Sequence, residues 1–188
     1  MLALLNRVAP SATDMIRADH TRVFALFHRY DMDASPRAKR ALVESICLAL
    51  EVHAQAEEEI FYPALRKAGS TLVDKAVPEH EEMRRLIATL RESDPAIAEF
   101  DATFMDLMRE VIHHVADEET AMLPHAESLL QGRLGVLGAE MAKRRLALKT
   151  VRAPRAVANS AKGAPMNALL LAGGALLAGV LLYRRRRG

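Results

Sequence analysis

The side chains of this 188-residue sequence best suited to chemistry are its seven histidines, at 20, 28, 53, 80, 113, 114 and 125. A lone histidine among apolar neighbours is usually a satisfied core residue, so placement decides. His20 sits four residues after Ile16 and four before Phe24. His53 continues the run Ile46, Leu50; His80 continues Val73, Ala76; His114 continues Leu107, Val111. Each of four predicted helices thus sends one histidine into the seam where its own period demands an apolar residue.

Glu57 and Glu118 belong to the same seam, each four residues after a seam histidine. Four helical steps turn through about 400°, so His53/Glu57 and His114/Glu118 each share one face, one turn apart. A purely polar network without metal would leave two buried carboxylates that neutral imidazoles do not compensate. Cations held between the helices would. The segments HAQAEEEIFYP (53–63) and HVADEETAMLP (114–124) form a weak internal repeat, as expected of two helices presenting equivalent ligands. His113 shares its face with Asp106, Arg109, Glu110 and Asp117, so His114 is the expected ligand and His113 a surface residue. His28 is rotated about 80° from His20 and is an expected outer-shell group; His125 lies about three turns beyond His114.

Imidazole and carboxylate donors without thiolate suit iron, manganese or zinc. Six protein ligands, His20, His53, Glu57, His80, His114 and Glu118, are too many for one tetrahedral zinc. They best fit two non-haem iron ions joined by an oxide or hydroxide, inside a four-helix bundle.

The elements that must position these residues follow from punctuation and period. Ser11-Ala12-Thr13-Asp14 reads as a capped helix start, with apolar spacing to about Tyr30. Ser35-Pro36 starts a second helix that stops at Gly69. A third runs through Val73, His80, Met83, Ile87 and Leu90. Asp94-Pro95 starts a fourth, ending near Gly132. With 4% aromatics and no Trp, the core is aliphatic and helix is favoured. The expected fold is all-α, an antiparallel up-down four-helix bundle over 12–132.

Charge is divided unevenly along the chain. Residues 1–132 hold 14 basic and 23 acidic side chains, residues 133–188 hold 12 basic and one acidic. The acidic body argues against nucleic-acid binding. The single cysteine, Cys47, excludes an internal disulfide framework and a thiolate zinc site. No Ser/His/Asp triad, phosphate loop or nucleotide fingerprint occurs. Beyond the bundle, 133–149 reads as a basic helical extension and 150–166 as a flexible linker. Residues 167–183 read as a hydrophobic tail or transmembrane helix, and 184–188 as a polyarginine terminus. A helix over Ala168 to Tyr183 would reach about 24 Å, short of the ~30 Å hydrocarbon core unless arginines snorkel. The alternative is a tail folded back on the body. Gly174/Ala178 and Ala175/Gly179 would allow helix pairing and a homo-oligomer. With no export signal at its start, the bundle is expected in the cytoplasm, attached to the inner or plasma membrane by the tail.

The motifs Ala18-Asp19-His20, HAQAEEEIFYPAL (53–65), Glu79-His80-Glu81 and HVADEETAMLP (114–124) together resemble those of hemerythrin-like (HHE cation-binding) domains, over about residues 12–150. The resemblance implies iron ligation by His20, His53, Glu57, His80, His114 and Glu118, and a protein that binds or senses dioxygen or nitric oxide. The alternative it implies is a di-iron enzyme or iron donor in oxidative or nitrosative stress, acting on peroxide or oxygen or repairing iron–sulfur clusters. A third class, an interaction module with a merely structural bundle, is weakened by six aligned ligand-type residues. Oxygen-carrying hemerythrins have a second histidine on the third helix where this chain has Arg84. Guanidinium offers no lone pair, so one position on each iron is expected to stay open unless His28, Tyr62 or Glu79 fills it.

Overall fold

The computed structural model describes residues 10–160. Four helical rods form a bundle: α1 (Ala12–Phe27); α2 (Pro36–Ala56) continued by α3 (Tyr62–Lys67); α4 (Val73–Glu92); and α5 (Ala98–Asp117) continued by α6 (Leu123–Leu129). Short connections make sequential rods antiparallel neighbours. Contacts of α1 with α6 close the ring. The all-helical bundle expected from the period is the one found.

Local signals explain the ends. The Ser11 hydroxyl accepts from the Asp14 amide (3.1 Å) and the Asp14 carboxylate accepts from the Ser11 amide (3.2 Å), a reciprocal cap. Ser35 caps α2 through the Ala38 amide, with Pro36 at its first turn. Gly69 adopts φ +92°, the left-handed turn that lets the Ser70 amide close back on the Leu65 carbonyl. One start differs from expectation. Asp94 accepts from the Ala96 amide in a separate turn, and the fourth rod begins at Ala98.

The second and fourth rods are not continuous α-helices. Each is interrupted by a π turn, Glu57–Phe61 and Glu118–Met122, whose first residue is the seam glutamate. The Tyr62 amide bonds to the Glu57 carbonyl, and the Leu123 amide to the Glu118 carbonyl, five residues back. Pro63 and Pro124 follow directly. A proline has no N–H for the α-helical ladder, and its ring collides with the carbonyl four residues earlier. Widening the preceding turn relieves both problems. π turns of this kind are frequent at functional sites.

A helix is present over the expected basic extension at 133–149, and among the described residues it continues through the first part of the expected linker at 150–166 as one helix, α7 (Leu134–Ser160). Pro154 does not end it. At about 1.5 Å per residue it is ~40 Å long, and it lies along α1 and α2. Leu134, Leu137, Met141, Leu148 and Ala156 are buried on one face. Its cations meet the acidic body: Arg144 pairs with Glu59 (Nη2–Oε1 2.9 Å), Arg145 with Asp19, and Arg152 with Gln55. A Cβ on Gly138 would overlap the Pro10 carbonyl, so this glycine permits the close crossing of α7 and the start of α1. Part of the charge asymmetry is therefore internal complementarity.

Among the described residues no helix is long and apolar enough to cross a membrane. The expected tail helix at 167–183 and the arginines at 184–188 lie outside the described residues.

The apolar core is divided in two. One cluster holds Ile16, Phe61, Tyr62, Leu65, Leu123 and Met141; the other holds Phe27, Ile46, Met83, Leu90, Phe100 and Phe104. Between them, in sequence on every rod, stands the layer of histidines and glutamates.

Candidate metal centre

All six expected ligand residues meet in that layer. His20, His53, Glu57, His80, His114 and Glu118 are each 5% exposed or less. The Nε2 atoms point inward: His53 Nε2 is 3.2 Å and His80 Nε2 3.5 Å from Glu57 Oε2. His20 Nε2 is 3.2 Å and His114 Nε2 3.5 Å from Glu118 Oε2. Each carboxylate thus stands between two imidazoles from two rods. His80 and His114 bring their Nε2 atoms to 3.1 Å.

The four imidazole–carboxylate approaches are close without being aligned as hydrogen bonds. His20 Nε2, both nitrogens of His53, Glu57 Oε1 and Glu118 Oε2 are buried with no hydrogen-bond partner. Orphaned buried polar atoms are rare and costly, and here they converge. His20, His53, Glu57 and Glu118 offer donor atoms within 4.8 Å of one another, as do His53, Glu57, His80 and His114. Two overlapping donor groups of imidazole and carboxylate fit bound metal cations.

Charge distribution points the same way. Burial, reinforced by the neighbouring Glu118 charge, pushes the Glu57 carboxyl well above its ordinary range. Burial would also raise Glu118, but the adjacent imidazoles of His20, His114 and His53 outweigh it and hold Glu118 at about 2. Burial pushes His53 down to about 4 and lowers His80 against the pull of Glu58. His53 and His80 are thus kept neutral, as ligation requires.

Behind the inner layer stands a second set of carboxylates. Nδ1 of His20 meets Glu119 (2.8 Å), Nδ1 of His80 meets Glu58 (2.9 Å) and Nδ1 of His114 meets Glu79 (2.9 Å). His53 Nδ1 faces Asp19 at 3.7 Å, and Asp19 is in turn held by Arg145 of α7. Such partners fix the tautomer that leaves Nε2 free for a metal. Arg84 does not enter the centre; it binds Glu58 from the surface side. Bonds from His80 and Arg84 overcome burial and lower Glu58 to about 2.

Glu58 and Glu119 are not among the residues singled out from spacing, although a signal exists. The internal repeat carries Glu-Glu at both 57–58 and 118–119, and the second glutamate of each pair reaches a histidine on another rod. The expectation for His28 is corrected. It is exposed at the end of α1, because the rod stops at Phe27 and turns away. His113 is exposed and His114 buried, as the helical phase predicts.

Of the three groups named for the open position, Tyr62 is the one brought inward, while Glu79 stands behind His114. The Tyr62 hydroxyl donates to Glu118 Oε1 (2.9 Å) and lies 3.4 Å from Glu57 Oε2 and 3.5 Å from His80 Nε2. On an α-helix, five steps turn about 500° and would carry Tyr62 roughly 140° away from Glu57. The π turn brings it back over that face. Leu123 occupies the matching place after the second π turn, so the two halves of the centre differ.

A family model described as the hemerythrin HHE cation binding domain matches residues 11–126, more than half of the chain. A curated relative from Nostoc sp., named DNA nickase, is 32% identical over 110 residues, which are 58% of this chain and 31% of that protein. The chain therefore spans less than a third of that relative's length. Among solved structures, a hemerythrin HHE cation binding domain-containing protein from Mycobacterium kansasii superposes with a TM-score of 0.68 at 19% identity, covering 78% of this chain and 91% of its own. At that identity the likeness is one of fold. With the family model spanning both HxxxE motifs and the rods that carry His20 and His80, the chain belongs to the hemerythrin HHE cation-binding family.

Proposed function

We propose that the chain holds two non-haem iron ions through His20, His53, Glu57, His80, His114 and Glu118, and uses them to bind or sense dioxygen or nitric oxide. The observation that carries this reading is the convergence of orphaned Nε2 and carboxylate atoms into two overlapping donor groups that share His53 and Glu57. Iron so held would supply a change of oxidation state and a coordination position for a diatomic ligand. The protein's own side chains do the rest. Glu58, Glu79 and Glu119 each fix an imidazole by its Nδ1. Burial and the adjacent carboxylates keep the proton on Tyr62 Oη, a hydrogen-bond donor facing the interior of the centre. The two apolar clusters above and below exclude water.

Metal analysis of the purified protein tests the first half. Two irons per chain are expected, and a single zinc or no metal refutes the reading. Optical spectra during aerobic and nitric oxide titrations test the second half. Stable, reversible spectral change supports binding or sensing; rapid turnover of peroxide or dioxygen would replace it by the enzymatic alternative.

We also propose that the apolar run at 168–183 attaches the protein to a membrane; its support is the sequence alone. Deleting 166–188 is expected to move the protein from the membrane pellet to the soluble fraction. Retention in the pellet refutes the role of the tail.

A further inference from the structure

Three clefts open on the described surface near the centre. One, between α1, α2 and α7, is lined by Asp19, Arg22, Arg145 and Lys149, and the Asp19–Arg145 pair stands between it and His53. A second, lined by Glu51, Glu59, Arg84 and Arg152, reaches Glu58 and no inner residue. The third lies between α4 and the second π turn, with a volume of about 320 Å³. Its rim is exposed at Leu72, Lys75 and Ala121, and its inner wall is the buried Ala76, Met122 and Glu118. Of the three, it alone has an inner-layer residue in its wall. Glu118 is 1% exposed, and its Oε2 has no hydrogen-bond partner.

We propose that this third cleft is the route by which a small uncharged molecule reaches the centre. The inference rests on the gas-binding function proposed above and adds the path. The walls select for lack of charge. Leu72, Ala76, Ala121 and Met122 offer no partner to an ion that must shed its water. Glu79 and Glu118 at the inner end repel anions. At the mouth, Lys75 is paired with Asp117 and lies 3.9 Å from Glu79, so it offers no free positive charge that would gather anions. Two alanines, at 76 and 121, keep the passage wide where larger side chains would close it.

Crystals of the purified protein pressurised with xenon, and others soaked in iodide, test the route without reference to any reaction. Xenon is expected between Ala76, Ala121 and Met122, as it occupies apolar cavities elsewhere, and iodide is not. Ala121→Phe places a ring in the mouth, at an exposed position outside the ligand set, and should remove the xenon. Ser45→Phe, in the cleft beside Arg145, should not. In stopped-flow measurements on the iron-loaded protein, Ala121→Phe should slow nitric oxide association and dissociation by a similar factor of about ten. That corresponds to about 1.4 kcal/mol of added barrier, at unchanged Kd and iron content. A distorted centre would instead change Kd. Absence of xenon, iodide in its place, or equal slowing by Ser45→Phe overturns the route. If the wild-type iron protein takes up no nitric oxide, the proposed function fails, and the xenon and iodide results still decide the path.

Discussion

Glu57 is the position where metal ligation and apoprotein stability pull in opposite directions. Its carboxylate is fully buried, its Oε1 has no partner, and burial together with Glu118 raises its pKa. Leaving a buried polar group unsatisfied costs about 1–3 kcal/mol. Glu57→Gln keeps the shape and still buries an amide, but it removes the additional cost of the charge, so it should stabilise the metal-free protein by about 1–3 kcal/mol. For a domain of this size each kcal/mol moves Tm by about 2–4 °C, giving an increase of roughly 2–12 °C. The sign with pH follows from the direction of the shift. A folded pKa above the unfolded value makes the wild-type penalty absent below about pH 4.5, growing as pH rises toward the folded pKa. The gain from Glu57→Gln should grow over the same range. In the metal-loaded protein the effect reverses. An ion present at 1,000 times its Kd contributes about 4 kcal/mol, which the variant should largely lose. Glu118→Gln should lose metal equally but destabilise the apoprotein, because Glu118 accepts from Tyr62 and lies low, at about 2, among histidines. Calorimetric scans of both variants, with and without iron, from pH 4 to 8 provide the assay. A metal-free Glu57→Gln protein that melts below wild type, or an unchanged metal-induced shift in Tm, refutes the reasoning.

His114→Ala should lose iron and the thermal stabilisation that iron brings, whereas His113→Ala should keep both, as read by metal content and melting curves. Equal losses would mean that the fourth rod presents the other face. Glu58→Ala removes the group that holds His80 Nδ1 at 2.9 Å, and outer partners of this kind typically contribute about 10–100-fold in metal affinity. Competition with a chelator should show a loss of that size, and unchanged affinity would remove Glu58 from the centre. Gly138→Ala should gain about 0.5–1 kcal/mol in helix propensity. It should lose more, about 1–3 kcal/mol, to overlap with the Pro10 carbonyl. A higher unfolding midpoint in urea would contradict the close crossing of α7 and α1.

The six inner residues were legible in the sequence because a helix converts spacing into direction. A histidine standing where the 3.6-residue period requires an apolar side chain is committed to the core whatever the neighbouring rods do, and an HxxxE pair faces one way over a single turn. Capping by Ser11 and Ser35 and the stop at Gly69 are equally local, each settled by hydrogen bonds or dihedrals within a few residues. Pro63 and Pro124 also marked the two interrupted rods, but a missing N–H does not by itself say whether a helix ends, kinks or widens. The structure adopts a π turn there, with both Phe61 and Tyr62 in the core. That choice brings Tyr62 to the centre, a result invisible to an α-helical period. The outer carboxylates lay equally beyond local reach: Glu58 serves His80, Glu79 serves His114 and Glu119 serves His20, each across a gap between rods that sequence distance does not encode. The 134–160 segment shows the same limit. Its first part reads as a basic helix, but the small and basic residues from 150 onward, with Pro154, look like a linker in isolation. Arg144, Arg145 and Arg152 become helix-stabilising only when α1, α2 and the first π turn present Asp19, Gln55 and Glu59 opposite them. Direction along one helix is a property of the chain, whereas the partner across a gap exists only once the rods have packed.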